Sequence, residues 1–223
     1  MRLQLVRCTL IKTRNVADKG FYMKFIGITG GVGAGKSSIL SYLGEKPGIR
    51  VLLADEIAHD LMEPGTLCYK RIREEFAGED IFLEDGHFDR VKLATCIFTD
   101  PQKRERMNGI VHPAVKDYVL QTVQEEQKEG RLSYLFFEAA LLIEEHYDAI
   151  CDELWYIYTN EDNRRARLIA SRGYTNEKID GIFLSQLSED EYRAHCKVVI
   201  DNNGTPEQAF EQIEKALRRK ADE

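Results

Sequence analysis

Short apolar runs rich in β-branched and aromatic residues predict five buried strands, at 24–29, 50–53, 133–138, 153–158 and 197–201. Runs that are apolar along their whole length are typical of a parallel sheet covered on both faces. Apolar residues at helical spacing lie between the runs. The pattern therefore predicts an α/β domain with a five-stranded parallel sheet. Its last helix, at about 206–220, opens with a threonine cap and a first-turn proline, Thr205-Pro206.

The interval between the second and third predicted strands is unusually long, at about 80 residues. Its pattern predicts helices at 55–62, 66–77, 89–98, 101–110 and about 113–129, with a turn at Asp85-Gly86. Pro64-Gly65 and His112-Pro113 mark predicted helix boundaries. We expect an inserted helical subdomain at about 60–131. An insertion of this size is suited to recognition of a substrate.

Residues 1–22 differ from the rest of the chain because they are basic and lack a capping or turn signal that ties them to the first strand. They also lack the apolar region of a secretory signal. We interpret them as an N-terminal extension outside the core, in which Leu3 to Leu10 is apolar enough for a strand. A single domain is then expected at 23–223.

A glycine-rich segment, Gly30 to Ser37, directly follows the first strand and fits the phosphate-loop pattern G-x-x-x-x-G-K-[S/T]. Its glycines allow the backbone N–H groups to surround anionic oxygens, and the following helix adds its positive dipole end. Lys36 is expected to reach the β- and γ-phosphates, and Ser37 to hold Mg²⁺. The alternative is an ordinary strand-to-helix turn with a chance lysine. The predicted nucleotide contacts are Gly31, Val32, Gly33, Ala34, Gly35, Lys36, Ser37 and Ser38.

Net charge and cysteine content bear on the cellular location of the protein and on its classes of binding partner. The formal net charge of −7 argues against general binding to nucleic acid or an anionic membrane. Five scattered cysteines, with no C-x-x-C pair, are typical of free thiols in a reducing cytoplasm. No apolar run approaches the roughly 18 residues of a membrane helix. We expect a cytoplasmic protein with no membrane partner, as a monomer or weak homo-oligomer.

Asp55 follows the second predicted strand, at the sheet edge where ligands of α/β proteins bind. A carboxylate there could accept the proton of an acceptor hydroxyl as its oxygen attacks the γ-phosphorus. The alternative is an N-cap for the helix that begins at Glu56. Both roles are compatible.

Four arginines fall within the nine residues from Arg164 to Arg172. Guanidinium groups match the charge of a phosphoryl group in transfer, and Arg167 and Arg172 are our candidates for that role. The alternative is a solvated basic helix face.

Two further sites of possible chemistry lie at strand ends. Asn202 and Asn203 form an Asn-Asn-Gly turn that could border an adenine, or be a turn alone. Glu138 ends the third strand and could contact Mg²⁺ through water. The histidines form no metal-binding spacing.

These motifs together resemble the dephospho-CoA kinase family. The resemblance runs from Met23 to about Leu217. It rests on the phosphate loop and seven further motifs: Leu53-Ala54-Asp55, Glu63-Pro64-Gly65, Asp85-Gly86 with Arg90, His112-Pro113, Leu141-Leu142-Ile143-Glu144, Ser185-Gln186 and Ile200-Asp201-Asn202-Asn203-Gly204. It implies a three-layer P-loop kinase fold with a substrate-binding insertion and a helical lid at about 161–192. It also implies transfer of phosphate from Mg·ATP to the ribose 3′-hydroxyl of dephospho-CoA, the last step of coenzyme A synthesis.

The resemblance carries residue roles as well. Asp55 matches the family's proposed base, Lys36 its phosphate lysine, and the arginine-rich helix its lid. Arg90, His112 and Glu144 are expected to contact the acceptor.

Three positions depart from the family's pattern. Leu53 replaces the first acid of Asp-Ala-Asp, and Ala140 replaces the proline of Pro-Leu-Leu-Phe-Glu. The spacing from Arg167 to Arg172 is one residue longer than is typical, which leaves the choice of lid arginines open. Another P-loop small-molecule or nucleotide kinase is the main alternative. A regulatory NTP-binding module is a second, although the chain lacks the Asn-Lys-x-Asp guanine signature of GTPases.

Overall fold

The computed structural model describes residues 22–219. The N-terminal extension, including the strand predicted within Leu3–Leu10, lies outside the described residues. The described residues divide into two compact units, one formed by 22–51 with 126–219 and the other by 52–125.

A five-stranded sheet forms the centre of the first unit. Its strands are β1 (Lys24–Thr29), β2 (Ile49–Leu53), β3 (Tyr134–Glu138), β4 (Glu153–Tyr158) and β5 (Val198–Asp201). Their order across the sheet is β2-β3-β1-β4-β5, and β1 pairs in parallel with both β3 and β4. The predicted α/β fold with a five-stranded sheet is confirmed. All five predicted strands are present, with ends within one residue of those observed.

Helices of the first unit follow the strand ends. They are α1 (Lys36–Gly44), α6 (Glu161–Arg172), α7 (Asn176–Leu184), α8 (Glu189–His195) and α9 (Pro206–Arg218). Thr205 caps α9 in a reciprocal capping box with Gln208, as the Thr-Pro sequence predicts. The rings of Tyr42 and Phe210 stack at 3.8 Å and join α1 to α9.

The core of the first unit is built on the central strands. Phe25, Phe136 and Trp155 are fully buried. The indole N–H of Trp155 donates to the buried carboxylate of Glu153 at 2.7 Å, so its polar group is satisfied inside the core. This packing fixes the sheet edge from which the loops of the site project.

Helices of the second unit are α2 (Ala54–Leu61), α3 (Leu67–Glu75) and α4 (Arg90–Thr99). The long helix α5 (Pro101–Glu129) starts in this unit and ends in the first. The predicted turn at Asp85-Gly86 lies within a short antiparallel bridge between Phe82 and Phe88.

The expectation of two helices separated at His112-Pro113 is wrong, because α5 is continuous through Pro113. An interior proline costs about 3 kcal/mol. A stripe of buried valines with a spacing of four, Val111, Val115, Val119 and Val123, crosses the proline without interruption. Burial of that stripe offsets the lost hydrogen bond.

Within residues 22–219, no helix is both long enough and apolar enough to cross a membrane.

Candidate active site

The glycine-rich loop lies between the end of β1 and the start of α1. Gly33 and Gly35 adopt positive φ angles of 84° and 86°, which side chains rarely tolerate. The N–H of Ala34 donates back to the carbonyl of Gly31 at 3.1 Å, so the loop closes on itself. Because α1 begins at Lys36, its unpaired N–H groups and positive dipole end face the loop. The segment is built as an anion-binding nest.

Three side chains support the loop at a single carbonyl, that of Ala34. The hydroxyl of Thr159 donates to it at 3.0 Å, the amide of Asn202 at 2.7 Å and the guanidinium of Arg167 at 3.3 Å. Thr159 and Asn202 are buried and directly follow β4 and β5. The ends of two neighbouring strands therefore hold the loop in position.

Lys36 lies at the centre of the loop. Its ammonium donates to the carbonyl of Gly30 at 2.7 Å and lies 3.6 Å from the carboxylate of Glu138, at the end of β3. Burial lowers the pKa of Lys36, and Glu138 opposes that shift by favouring the charged form. The charges of Arg164 and Arg172 lower the pKa further. A partly buried cation held by one carboxylate is suited to an anionic ligand with several negative oxygens.

Arg164 lies directly on the loop. Its Nε donates to the carbonyl of Val32 at 2.9 Å. A methyl group added at Gly31 would overlap its guanidinium. Burial lowers the pKa of Arg164, but an arginine side chain stays charged in proteins. A second fixed cation thus adjoins Gly31 and Val32, in addition to Lys36.

Two residues from the region of α7 orient Arg164. The ring of Phe183 lies 4.2 Å from the guanidinium carbon, in cation–π geometry. The side-chain carbonyl of Gln186 accepts from both the guanidinium of Arg164 and the N–H of Val32. Gln186 therefore connects the helical segment that follows β4 to the phosphate loop.

Known proteins with similar sequences identify the family that has this phosphate loop and its supporting residues. A model of the dephospho-CoA kinase family matches residues 24–208. The chain belongs to the dephospho-CoA kinase family. It is 36% identical over 196 residues to a dephospho-CoA kinase of Symbiobacterium thermophilum, covering 88% of this chain and 81% of the relative. It is also 36% identical over 192 residues to a dephospho-CoA kinase of Geobacter sulfurreducens, covering 86% of this chain and 96% of the relative.

Solved structures show the same fold. The solved structure of a dephospho-CoA kinase from Campylobacter jejuni superimposes with a TM-score of 0.67 at 19% identity, over 89% of this chain and 97% of that chain. The predicted P-loop kinase fold is thereby confirmed. Membership of the dephospho-CoA kinase family makes the protein a kinase.

The other predicted site residues are distributed over both units. Ser37 and Ser38 are exposed in the first turn of α1, and Glu144 is exposed in the turns after β3. Arg172 is exposed at the end of α6, with its guanidinium 5.8 Å from the ring centre of Tyr174. Asn203 accepts from the backbone N–H of Asn160 and the amide of Asn163.

Asp55, Arg90 and His112 belong to the second unit of this dephospho-CoA kinase family member. Asp55 is exposed in the first turn of α2. Its alternative interpretation as an N-cap is wrong, because α2 already begins at Ala54 and its cap position is Leu53. Arg90 begins α4, after Asp89, whose carboxylate caps that helix. His112 lies inside α5, not at a helix boundary.

Three residues that contact the loop are not among the site residues predicted from the sequence: Thr159, Arg164 and Gln186. Thr159 could have been found because it follows a strand at the ligand-binding edge of the sheet, as Asn202 does. Arg164 precedes the buried Leu168 by four residues and so shares its inward face. Gln186 appeared only as part of a family motif, and no local signal assigned it a contact.

Proposed function

We propose that this member of the dephospho-CoA kinase family transfers the γ-phosphoryl group of ATP directly to the ribose 3′-hydroxyl of dephospho-CoA. The acceptor oxygen forms a bond to the γ-phosphorus, the bond from that phosphorus to the β–γ bridging oxygen breaks, and ADP leaves. The hydroxyl proton passes to the carboxylate of Asp55. The main support is the family match over residues 24–208, since it includes the loop and the insertion.

The donor is proposed to bind at residues 31–38, with its β- and γ-phosphates against the loop N–H groups and Lys36. Lys36 is already partly desolvated and held by Gly30 and Glu138, so little reorganisation is needed when phosphate oxygens approach. Asn202 and Asn203 are proposed to border the adenine. Asn202 has a second role, since its amide supports the loop carbonyl of Ala34.

The residues at the loop are compatible with a Mg²⁺ ion whose ligands are mainly phosphate oxygens and water. No group of three or more metal-binding side chains occurs among residues 22–219, and Mg²⁺ needs only one or two protein oxygens in such sites. Ser37 is exposed at the start of α1 and would hold it directly, with Glu138 acting through water. When bound, Mg²⁺ neutralises charge on the phosphate oxygens.

Arg164 is our first choice for the arginine that stabilises charge on the transferred group. It is the lid arginine whose guanidinium adjoins Gly31 and Val32, and an arginine so placed is worth roughly 10³–10⁵ in rate. Arg167 donates to the carbonyls of Ala34 and Asn202, which supports a contact with the nucleotide close to the loop. Arg172 contributes to the field at Lys36 and stays a second candidate for phosphate contact.

The acceptor is proposed to bind in the second unit, with contributions from Arg90 and His112. The expected substrate contact of Glu144 stays a prediction. Asp55 is the proposed base because it matches the family's proposed base and lies exposed in the first turn of α2, directly after β2. The base supplies the smaller part of the acceleration, roughly 10²–10⁴-fold. Placement of the two substrates supplies more, up to roughly 7–11 kcal/mol of the barrier.

The decisive experiment measures ADP release with dephospho-CoA, nucleoside monophosphates or shikimate as acceptor, each with ATP or GTP as donor. We expect ADP and coenzyme A from ATP and dephospho-CoA, at a rate at least a hundred times that with water alone. Product formation only with another acceptor would identify a different P-loop kinase. Hydrolysis that no acceptor accelerates would favour a regulatory NTP-binding module.

A cytoplasmic location, the absence of a nucleic-acid partner, and a monomeric or weakly oligomeric state stay predictions. Light scattering of the purified protein at several concentrations would measure the oligomeric state.

A further inference from the structure

A cavity of about 570 Å³ lies within the second unit, between the end of α2 and the turn that leads into α4. Its apolar lining comes from Met62, Leu83, Phe88 and Leu93. Ligand sites typically have volumes of about 300–1,000 Å³ and combine apolar walls with a few polar groups. The cavity falls in that range.

The wall formed by the Phe82–Phe88 turn is held rigidly. The hydroxyl of Tyr69 donates to the carbonyl of Gly86, and Arg73 donates to the same hydroxyl at 2.9 Å. The Tyr69 ring packs edge-on against Phe88, with ring centres 5.4 Å apart. Because these contacts lie within one unit, the cavity is preformed and a ligand needs little ordering of the protein.

A cluster of polar side chains occupies one side of the cavity. The carboxylate of Glu63 lies 3.0 Å from Nδ1 of His87 and 3.8 Å from the guanidinium of Arg90. Arg90 donates to Nε2 of His59 at 2.5 Å. Nε2 of His59 also lies 3.7 Å from the carboxylate of Glu63, so the four side chains form one cluster.

The charge of the lining disfavours a strongly anionic ligand. The lining contains one guanidinium, that of Arg90, and three carboxylates, those of Glu63, Asp85 and Asp89, beside the imidazoles of His59 and His87. Asp85 and Asp89 accept backbone N–H bonds from their own turns, so they are fixed in place. A diphosphate would meet a net negative field, whereas a neutral chain with N–H and C=O groups would find both acceptors and a donor.

The cavity begins one helical turn from Asp55. Asp55 and His59 are four residues apart in α2 and share a face, about 6 Å apart along the helix axis. Glu63 lies four residues after His59 and two residues beyond the end of the helix at Leu61. A ligand whose reacting hydroxyl lies at Asp55 can reach the cavity with groups that are about 6–12 Å from that hydroxyl.

We propose that this cavity binds the pantetheine arm of the acceptor, an assignment that rests on the proposed function. The arm is uncharged, carries two amides and has a dimethyl-substituted carbon. Glu63 accepts from an amide N–H, Arg90 donates to an amide carbonyl, and Leu83 contacts the methyl groups. The arm then fixes the ribose relative to Asp55, so that the 3′-hydroxyl is the one presented for transfer.

The test compares two acceptors, dephospho-CoA and adenosine 5′-(methyl diphosphate), which keeps the adenosine diphosphate part and lacks the arm. The variants are Leu83→Asn and Glu63→Gln. The matched control is Phe98→Ser, an 82% exposed apolar residue of the same unit that does not line the cavity. Leu83 is itself 47% exposed, so its replacement leaves the fold intact.

We expect Leu83→Asn to raise KM for dephospho-CoA about tenfold and to leave KM for the truncated acceptor unchanged. Glu63→Gln should act in the same direction, and Phe98→Ser should match the wild type with both acceptors. An equal rise for both acceptors would overturn the proposal, since the cavity would then hold the adenosine diphosphate part. An unchanged KM for dephospho-CoA in both variants would overturn it as well.

Failure of the proposed function is distinguishable from failure of this assignment. In that case the wild type would not phosphorylate dephospho-CoA at all. Calorimetric titration of the wild type and Leu83→Asn with free pantetheine then decides the matter. Binding that is at least tenfold weaker in the variant supports the assignment, and equal or absent binding refutes it.

Discussion

Replacement of Arg164 by alanine separates a catalytic arginine from one that only stabilises the lid. In the structure, Arg164 makes three contacts: with the carbonyl of Val32, with Gln186 and with the Phe183 ring. Two hydrogen bonds contribute about 1 kcal/mol each and the cation–π contact about 0.5–1 kcal/mol. Their loss should reduce the free energy of unfolding by about 2–3 kcal/mol, or about 5–10 °C in Tm for a chain of this size.

The catalytic loss should be larger and of a different kind. If Arg164 stabilises charge on the transferred group, Arg164→Ala lowers kcat roughly 10³-fold or more, equivalent to at least about 4 kcal/mol of transition-state stabilisation. Because that charge develops in the transition state, KM for ATP should change much less than kcat. Continuous ADP release at saturating ATP and dephospho-CoA measures kcat, and differential scanning fluorimetry measures Tm.

Arg165→Ala is the matched control. Arg165 lies one residue further along the same helix, donates to Asn176 at 3.1 Å and Asp180 at 2.6 Å, and lies 5.4 Å from the Phe183 ring centre. The pair with Asp180 is partly exposed, so it adds at most about 1 kcal/mol. We expect Arg165→Ala to lower Tm by a few degrees and to keep kcat within a factor of three. Retention of more than a tenth of kcat in Arg164→Ala, or an equal loss in both variants, would refute a catalytic role for Arg164.

Three further changes test other parts of the site. Glu138→Gln removes the carboxylate that raises the pKa of Lys36 against the effect of burial, so the pKa of Lys36 should fall further. The alkaline limb of the pH profile of kcat/KM for ATP should then move to lower pH. If that limb does not move, Lys36 does not control it. A lysine pKa that is lower in the folded state means that stability rises with pH through that pKa, so the variant's loss of Tm should shrink as pH rises. Asp55→Asn should lower kcat by roughly 10²-fold or more, with little change in the ATP affinity measured by titration. If the variant turns over as fast as the wild type, Asp55 interacts only with the helix dipole. Thr205→Ala should cost about 1 kcal/mol of unfolding free energy in urea denaturation, through loss of the α9 cap, without an effect on kcat.

The sheet was predictable because each strand is a continuous apolar run, a property of a few adjacent residues. The long helix α5 was not, because the local rule for Pro113 and the wider pattern of buried residues conflict there. Proline favours a boundary at that position, whereas the valines from Val111 to Val123 favour one helix over both sides of it. The cost of one proline is about 3 kcal/mol, and burial of a valine stabilises by about 1.5 kcal/mol or more. Several buried valines therefore outweigh the proline.

The sequence did not single out Arg164, which contacts the phosphate loop, for a different reason. Arg164 and Arg172 both lie four residues from the buried Leu168, so helical periodicity favours them equally. What distinguishes them is where the helix ends. Gly173 terminates α6 in the left-handed conformation, with φ of 61°, and this leaves Arg172 exposed at the last turn. Arg164, in the first turn, lies beside the loop that follows β1.

The support of the phosphate loop shows which long-range contacts sequence can still suggest. Thr159 and Asn202 reach Ala34 across 125 and 168 residues of chain, and Arg164 reaches Val32 across 132, so no local motif contains these pairs. Yet β4 lies beside β1 and β5 lies beside β4. Parallel strands bring their carboxyl ends to one edge, so the first polar residues after β4 and β5 must lie near the loop that follows β1. That rule locates Thr159 and Asn202 once the strand order is known. It cannot locate Arg164 or Gln186, because their positions depend on how α6 and α7 pack, and that packing depends on side chains such as Phe183 and Leu168.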